Sequence, residues 1–154
     1  MQRSGLTLLF LLFAGMLLAA GCASTPIADT SGDARHQEAS EVAASMVGKP
    51  YRYGGNTPQG FDCSGLVYFS FRRAGLHVPR STETQRDQSS KVPLSRLARG
   101  DLLFFNQDGK HSSHVGIYLG SKRFVHAPSS GKRVRVDSLA DNYWRKHLVD
   151  ARRF

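Results

Sequence analysis

A cysteine near the middle of the chain has the surroundings of a nucleophile. Cys63 follows residues 54–60, a stretch rich in turn-forming residues that cannot stay regular for long. The residues after it place apolar side chains at three- and four-residue steps, which predicts a helix over residues 63–74. Asp62 then takes the N-cap position. The free N–H groups and positive dipole end of a helix start favour a thiolate at Cys63.

Position alone does not make Cys63 reactive. A lone cysteine is more often a small buried hydrophobe, and that interpretation stays open at this point. The carboxylate of Asp62 beside it also disfavours a thiolate, so a reactive Cys63 needs a cationic partner as well.

The N-terminus has the pattern of an exported lipoprotein. Arg3 precedes an uncharged apolar run over residues 6–20, which is typical of a secretory signal and too short for a transmembrane helix. Small residues then lead to Cys22 and resemble a bacterial lipobox, with Ala19 where Leu is usual. We expect a lipoprotein signal peptide over residues 1–21, and a lipidated Cys22 with a flexible tether over residues 22–35. Ordinary cleavage with Cys22 left as a free thiol is the alternative.

The two cysteines and the charge narrow the class of protein. If Cys22 carries lipid, Cys63 has no disulfide partner in the chain. An unpaired thiol in an oxidising compartment is a liability, which favours a functional role for Cys63. The formal net charge of +9 favours polyanionic partners. Its basic residues are scattered without interleaved aromatics, so we expect anionic cell wall or lipid as the partner and no nucleic acid.

The second half of the chain predicts the sheet that must face this cysteine. Residues 34–47 and 63–74 have helical spacing, whereas 102–106, 114–119, 123–127, 133–136 and 148–154 have strand patterns. We assign residues 107–113 to a loop. Helices followed by strands at hairpin distances predict an α+β fold with an antiparallel meander.

Two histidines on neighbouring predicted strands complete a catalytic pattern. Alternation places His114 on one face of its strand and Val115 on the other, and His126 can reach His114 across the hairpin. A thiol at a helix start, an imidazole on the sheet and a second imidazole behind it are the layout of a nucleophile, a base and its orienting residue. The pair His111 and His114 lacks the further thiols or carboxylates of a zinc site, so we expect no metal and no cofactor.

These residues resemble the NlpC/P60 family of cell-wall cysteine peptidases. The resemblance rests on several motifs in order, over about residues 36–154: YRYGG at 51–55, FDCSGLV at 61–67, PRST at 79–82, GDL at 100–102, HVGIY at 114–118 and FVHA at 124–127. It is strongest to the Gram-negative lipoprotein murein endopeptidases. It implies a papain-like core over residues 36–154, with N-terminal helices, including the cysteine helix, packed on an antiparallel sheet.

The resemblance also assigns roles to residues. It implies Cys63 as nucleophile, His114 as base, His126 as the third, orienting residue, and Tyr51 as an oxyanion donor beside the Cys63 N–H. Asp62 and Ser64 match positions that bind a substrate amine in members with an extra wall-binding domain, and Arg80 becomes a candidate for binding a substrate carboxylate. For Asp62 the helix cap, and for Arg80 a solvated loop, are the alternatives.

The implied activity is hydrolysis of amide bonds in peptidoglycan, favouring the D-Ala–meso-diaminopimelate cross-link. The D-Glu–diaminopimelate bond of the stem peptide, a non-catalytic wall-binding lipoprotein and an acyltransferase are the alternatives. We expect a monomer on the periplasmic face of the outer membrane, held by lipid at Cys22 and acting on peptidoglycan. We also predict a resting thiolate–imidazolium pair between Cys63 and His114.

Overall fold

A computed structural model describes residues 30–107, 109–129 and 133–154. The predicted signal peptide, Cys22 and most of the predicted tether lie outside these residues. Within the described ranges, no helix has the length and apolar character needed to cross a membrane.

The described chain runs from helices into strands, which confirms the predicted α+β layout. The helices are α1 (Thr30–Ser45), α2 (Cys63–Arg73), α3 (Thr82–Asp87) and α4 (Asn142–His147), with a 3₁₀ turn at Leu94–Arg96. The strands are β1 (Asn56–Thr57), β2 (Gly60–Phe61), β3 (Ser90–Val92), β4 (Leu102–Gln107), β5 (Lys110–Gly120), β6 (Arg123–His126), β7 (Arg135–Ser138) and β8 (Leu148–Arg153).

One six-stranded antiparallel sheet organises the domain. Its strand order is β3-β8-β4-β5-β6-β7, so β4 to β7 form the predicted meander and the C-terminal β8 pairs with β4. A separate two-stranded ribbon, β1-β2, lies directly before α2. The sheet therefore brings the two strands that carry His114 and His126 side by side.

Three boundaries differ from those that the sequence predicted. Helix α1 begins at Thr30, so residues 30–35 of the predicted tether are helical and the domain boundary predicted at residue 36 falls inside α1. Residues 110–113, predicted as loop, extend β5, where the Ser113 hydroxyl bonds both the N–H and the carbonyl of Gln107 across a register shift. Strand β7 covers 135–138 rather than 133–136. Polar stretches hide strands of this kind because they lack an apolar alternation.

Two cores lie on opposite faces of the sheet. The first joins α1 and α2 to one face, where α2 contributes Leu66, Val67 and Phe71. On the sheet side it contains Leu102, Phe104, Val115, Ile117 and Val125, and Phe69 packs against it partly buried. Val115 thus lies on the face opposite His114, as the alternation predicted. The second core, on the other face, contains Phe105, Phe124 and Trp144.

Close backbone contacts fix the start of α2 in place. A Cβ at Gly65 would lie 2.0 Å from the carbonyl oxygen of Gly55, so only glycine permits the first turn of α2 to pack on this loop. At its other end, α2 carries Arg72 and Arg73 in the last turn, where positive charge complements the helix dipole. Gly75, with φ +75°, then ends the helical stretch.

We expect Ile117→Ala to lower the free energy of unfolding by about 2–5 kcal/mol, because the side chain is fully buried between α2 and the sheet. Leu94→Ala is the matched control, since Leu94 is 56% exposed and its truncation should cost within about 0.5 kcal/mol. Urea denaturation of both variants measures the difference. Equal costs would contradict this assignment of the core.

Candidate active site

The Cys63 thiol lies at the first residue of α2, against the edge of β5. Its Sγ is 3.7 Å from the Thr82 hydroxyl oxygen, and the backbone N–H of Val115 donates to it. The β5–β6 ladder begins at the pair Ile117↔Val125, which leaves the Val115 N–H available for the thiol. The thiol therefore contacts Val115, the residue that follows His114 in the chain. This is the placement expected for a nucleophile and its base.

The Asp62 carboxylate holds the start of α2. Its Oδ1 accepts from the Gly65 N–H at 2.6 Å and its Oδ2 from the Gly54 N–H at 2.9 Å. The first contact is the predicted N-cap bond, which is thereby confirmed. The second joins the turn before β1 to the same carboxylate, so one side chain sets both the helix start and the approaching loop.

Arg80 pairs with this carboxylate. Its two terminal nitrogens lie 2.9 and 2.8 Å from the two Asp62 oxygens, and they also donate to the Ser64 hydroxyl at 2.9 Å and to the Gly55 carbonyl at 3.2 Å. The alternative of a solvated loop arginine is wrong. A substrate amine at Asp62, or a substrate carboxylate at Arg80, would have to compete with this ion pair, so those roles stay predictions.

His114 and His126 lie on the same face of the sheet and touch, as the alternation predicted. Nε2 of His114 is 2.8 Å from Nδ1 of His126. Their relative exposures are 3% and 0%, so neither ring is in open solvent. This contact commits one ring nitrogen of His114 and leaves Nδ1 as the other.

An aromatic cluster surrounds the two imidazoles. The indole of Trp144 stacks on His114 with 5.8 Å between ring centroids and meets His126 edge-on at 4.8 Å. The Phe124 ring lies 4.9 Å from His126. Gly116 lies two residues after His114 on the same face of β5. A Cβ at Gly116 would come within 2.6 Å of the Phe124 ring, so the absence of a side chain there makes room for the cluster.

Two residues of this cluster, Asp137 and Trp144, were not predicted from the sequence as site residues. Asp137 Oδ2 is 3.0 Å from Nε2 of His126, and Trp144 Nε1 donates to the same oxygen at 2.9 Å. The predicted strand 133–136 ended one residue too early to include Asp137. The β6–β7 register gives the missing signal, because it pairs His126 with Arg135 and so places Asp137 on the same face of β7 as Arg135.

Burial sets the charge of the thiol. It raises the pKa of Cys63, and the nearby Asp62 charge adds to that rise. Hydrogen bonds from the Thr82 side chain and from two backbone N–H groups lower the pKa of Cys63 without reversing the shift. The thiol is therefore protonated at neutral pH.

Burial also keeps the imidazoles neutral. It lowers the pKa of His114 to about 3, helped by His126 and Arg135 and opposed by Asp137. It lowers the pKa of His126 to about 4, although the charge and hydrogen bond of Asp137 oppose it. The predicted resting thiolate–imidazolium pair is therefore wrong, because burial disfavours the charged form of both partners. The imidazole of His114 is instead neutral at rest.

The part of the chain that carries these residues matches a known protein family. The model of the NlpC/P60 family matches residues 48–153, which include the thiol, both histidines and Asp137. The chain belongs to the NlpC/P60 family. Its α+β core is the papain-like fold that the sequence motifs implied.

Relatives in bacteria share most of this chain. Murein DD-endopeptidase MepH of Escherichia coli K12 is 39% identical over 140 residues, 85% of this chain and 51% of MepH. Murein DD-endopeptidase MepS/Murein LD-carboxypeptidase of the same strain is 44% identical over 111 residues, 71% of this chain and 58% of that protein. The chain thus spans about half the length of these relatives.

A solved structure agrees with the fold. A Staphylococcus aureus protein described as similar to lipoprotein, NLP/P60 family, superposes with a TM-score of 0.69 at 33% identity, covering 86% of this chain and 44% of that one.

The residue expected to stabilise an oxyanion in this NlpC/P60 domain, Tyr51, packs against the same core as Cys63. Tyr51 bridges to Phe61 just before Asp62 and packs against the first core. Burial raises its pKa, and the charges of Cys63, Asp62 and Tyr53 raise it further. Tyr51 therefore keeps its phenolic proton, and its hydroxyl can donate a hydrogen bond to an oxyanion. Among the described residues, no group of three or more His, Cys, Asp or Glu is placed to hold a metal ion.

We expect alkylation of Cys63 by iodoacetamide to rise with pH and to reach half its maximum above the ordinary thiol pKa of about 8.5, because only the thiolate reacts and burial raises this pKa. Mass spectrometry of the peptide containing residue 63, across pH 5–10, measures the profile. Half-maximal labelling at acidic pH would restore the resting ion pair. A Thr82→Val variant should move the midpoint still higher, because it removes a hydrogen bond that lowers the pKa.

Proposed function

We propose that this protein is a cysteine peptidase that hydrolyses amide bonds in the peptides of peptidoglycan. The observation that carries the proposal is the thiol at the start of α2, which accepts from the Val115 N–H beside the buried His114–His126 pair. Family membership supports it, as do two relatives whose names state murein endopeptidase activity.

The neutral resting state fixes the order of the first step. His114 removes the Cys63 proton as the sulfur attacks the amide carbonyl carbon, so the imidazolium forms only with the tetrahedral intermediate. The Tyr51 hydroxyl and the Cys63 N–H hold the oxyanion. A fixed donor of this kind typically contributes roughly a hundredfold or more in rate.

The second half of the reaction returns the proton. The imidazolium of His114 gives its proton to the leaving amine as the C–N bond breaks, which leaves a thioester on Cys63. His114 then removes a proton from water, whose oxygen attacks the thioester carbonyl. The tetrahedral intermediate collapses to a carboxylic acid, which gives its proton to solvent as it leaves, and His114 returns its own proton to the sulfur and ends neutral. His126 holds the ring of His114 through both steps.

The favoured substrate bond is the D-Ala–meso-diaminopimelate cross-link. MepH and MepS both carry the name murein DD-endopeptidase, which supports this choice over the D-Glu–diaminopimelate bond within one stem peptide. The two bonds give different products, since cutting the cross-link converts a muropeptide dimer to two monomers, whereas cutting the stem shortens the peptides.

We further propose that lipid on Cys22 holds the domain at the periplasmic face of the outer membrane, where peptidoglycan is within reach. The lipobox-like run before Cys22 and the absence of a charged residue at Ala23 support this site. An acyl anchor holds a domain on a membrane without a spanning helix. The domain itself acts as a monomer in this proposal.

We expect wild-type protein to convert purified muropeptide dimers to monomers, and Cys63→Ala and His114→Ala to abolish this while melting like the wild type. His77→Ala is the control for histidine removal, because His77 is exposed. EDTA should not change the rate, since no step uses a metal. Mass spectrometry of the products identifies which peptide bond is cut. Cleavage by Cys63→Ala would refute the mechanism, and binding of peptidoglycan without cleavage by the wild type would favour a non-catalytic wall-binding protein.

We expect Cys22→Ala to release the protein from the membrane fraction or to leave an unprocessed precursor, because the variant has no acceptor for lipid. Membrane fractionation and gel migration of the two proteins measure this. Cys63→Ala, fractionated alongside, controls for loss of a thiol as such. A Cys22→Ala variant that fractionates and migrates like the wild type would rule out the anchor.

A further inference from the structure

The orienting residue His126 can carry its proton on either ring nitrogen. Its Nδ1 contacts His114 at 2.8 Å and its Nε2 contacts Asp137 at 3.0 Å. A neutral imidazole carries one N–H and one lone pair, so either nitrogen can be the donor. His126 alone therefore leaves open which nitrogen of His114 is free to act as a base.

Asp137 removes this ambiguity because it is an ionised carboxylate. Burial raises its pKa, but the hydrogen bond from Arg135 and the contacts with His126 outweigh burial and lower it below the usual range. An ionised carboxylate only accepts hydrogen bonds. Trp144, whose indole N–H only donates, contacts the same Oδ2 and keeps it in place at 2.9 Å.

The direction of each hydrogen bond in the chain then follows. Nε2 of His126 must donate to Asp137, so Nδ1 of His126 must accept. Nε2 of His114 must therefore donate to His126. Nδ1 of His114 keeps its lone pair, and it is the one ring nitrogen that the His126 contact leaves available to take a proton from Cys63.

We propose that Asp137 is a positioning residue for the cysteine peptidase reaction, which fixes the tautomers of both histidines so that His114 presents Nδ1 as the base. The proposal rests on the function proposed above and extends the catalytic set of Cys63, His114 and His126 by one residue. An acidic residue fixes the tautomer of the catalytic histidine in serine peptidases by the same logic, there through one imidazole rather than two.

Asp137 also compensates the charge that appears during the reaction. When Nδ1 of His114 accepts the Cys63 proton, the positive ring donates from Nε2 to His126, whose other nitrogen donates to the carboxylate. The aromatic cluster keeps water away from both rings. The negative charge at the end of the chain then favours the imidazolium, as it already opposes the lowering of both histidine pKa values.

Arg135 offers a way to separate this role from structural support. Its guanidinium donates to both oxygens of Asp137, but its side chain is 45% exposed. Its removal leaves the bonds from His126 and Trp144 to the carboxylate intact. Arg135→Gln is therefore the control for Asp137→Ala, since both variants break the surface ion pair and only the second removes the carboxylate.

The test combines nitrogen NMR with steady-state kinetics on the full chain. In wild-type protein labelled with ¹⁵N at histidine, we expect the shifts of His114 and His126 to show the proton on Nε2 of both. Asp137→Ala removes the acceptor of the His126 proton, so we expect both rings to lose the preference for a proton on Nε2. With muropeptide dimers, kcat of this variant should fall about a hundredfold or more while KM changes little. Asp137→Asn keeps an amide oxygen that can accept from His126 and Trp144, so it should keep the wild-type tautomers and lose only the effect of the negative charge on kcat.

Arg135→Gln should keep the wild-type tautomers, because the carboxylate and its bonds from His126 and Trp144 remain. Asp87→Asn, the same kind of substitution at an exposed aspartate of α3, should keep the tautomers and a kcat within about threefold of wild type. Unchanged tautomers in Asp137→Ala would overturn the proposal, as would a fall in kcat explained by unfolding. If the wild type cleaves no muropeptide, the proposed function fails, but the NMR shifts still report whether Asp137 sets the tautomers. The two ideas can thus fail separately.

Discussion

The Asp62 carboxylate is the contact on which the geometry of the thiol depends. It caps α2, binds the Gly54 N–H of the preceding turn and pairs with Arg80 from the segment that leads into α3. Three separate pieces of chain therefore meet at one side chain, directly beside Cys63. Arg80 also offsets the negative charge of this carboxylate. Asp62 therefore disfavours the Cys63 thiolate less than an unpaired carboxylate at the same position would.

The second constraint is the dry environment of the base. His114 and His126 lie under Trp144 and Phe124, so a permanent charge on either ring would be poorly solvated. The protein meets this by keeping the resting site neutral and by placing a carboxylate two hydrogen bonds from the base. Gly116 belongs to this arrangement, because any side chain there would displace the Phe124 ring.

Local patterns were sufficient to predict where several candidate site residues lie. The cap at Asp62, the helix behind Cys63 and the shared face of His114 and His126 follow from neighbours within a few positions. The contact between His126 and Asp137 instead depends on the register of two strands, and the shared donor Trp144 comes from a short helix further along the chain. The charge state was mispredicted for the same reason, since burial of the rings results from packing between distant segments.

A half-buried thiol that stays protonated at rest has a consequence for its chemical lifetime. Oxidants and simple electrophiles attack the thiolate, so under the proposed mechanism a thiol that burial keeps protonated reacts with them more slowly between turnovers. The same property guides inhibition. A small alkylating reagent meets an unreactive sulfur, whereas an electrophile carried by a substrate-like peptide engages the base and the oxyanion donors together and captures the nucleophile at the moment it forms.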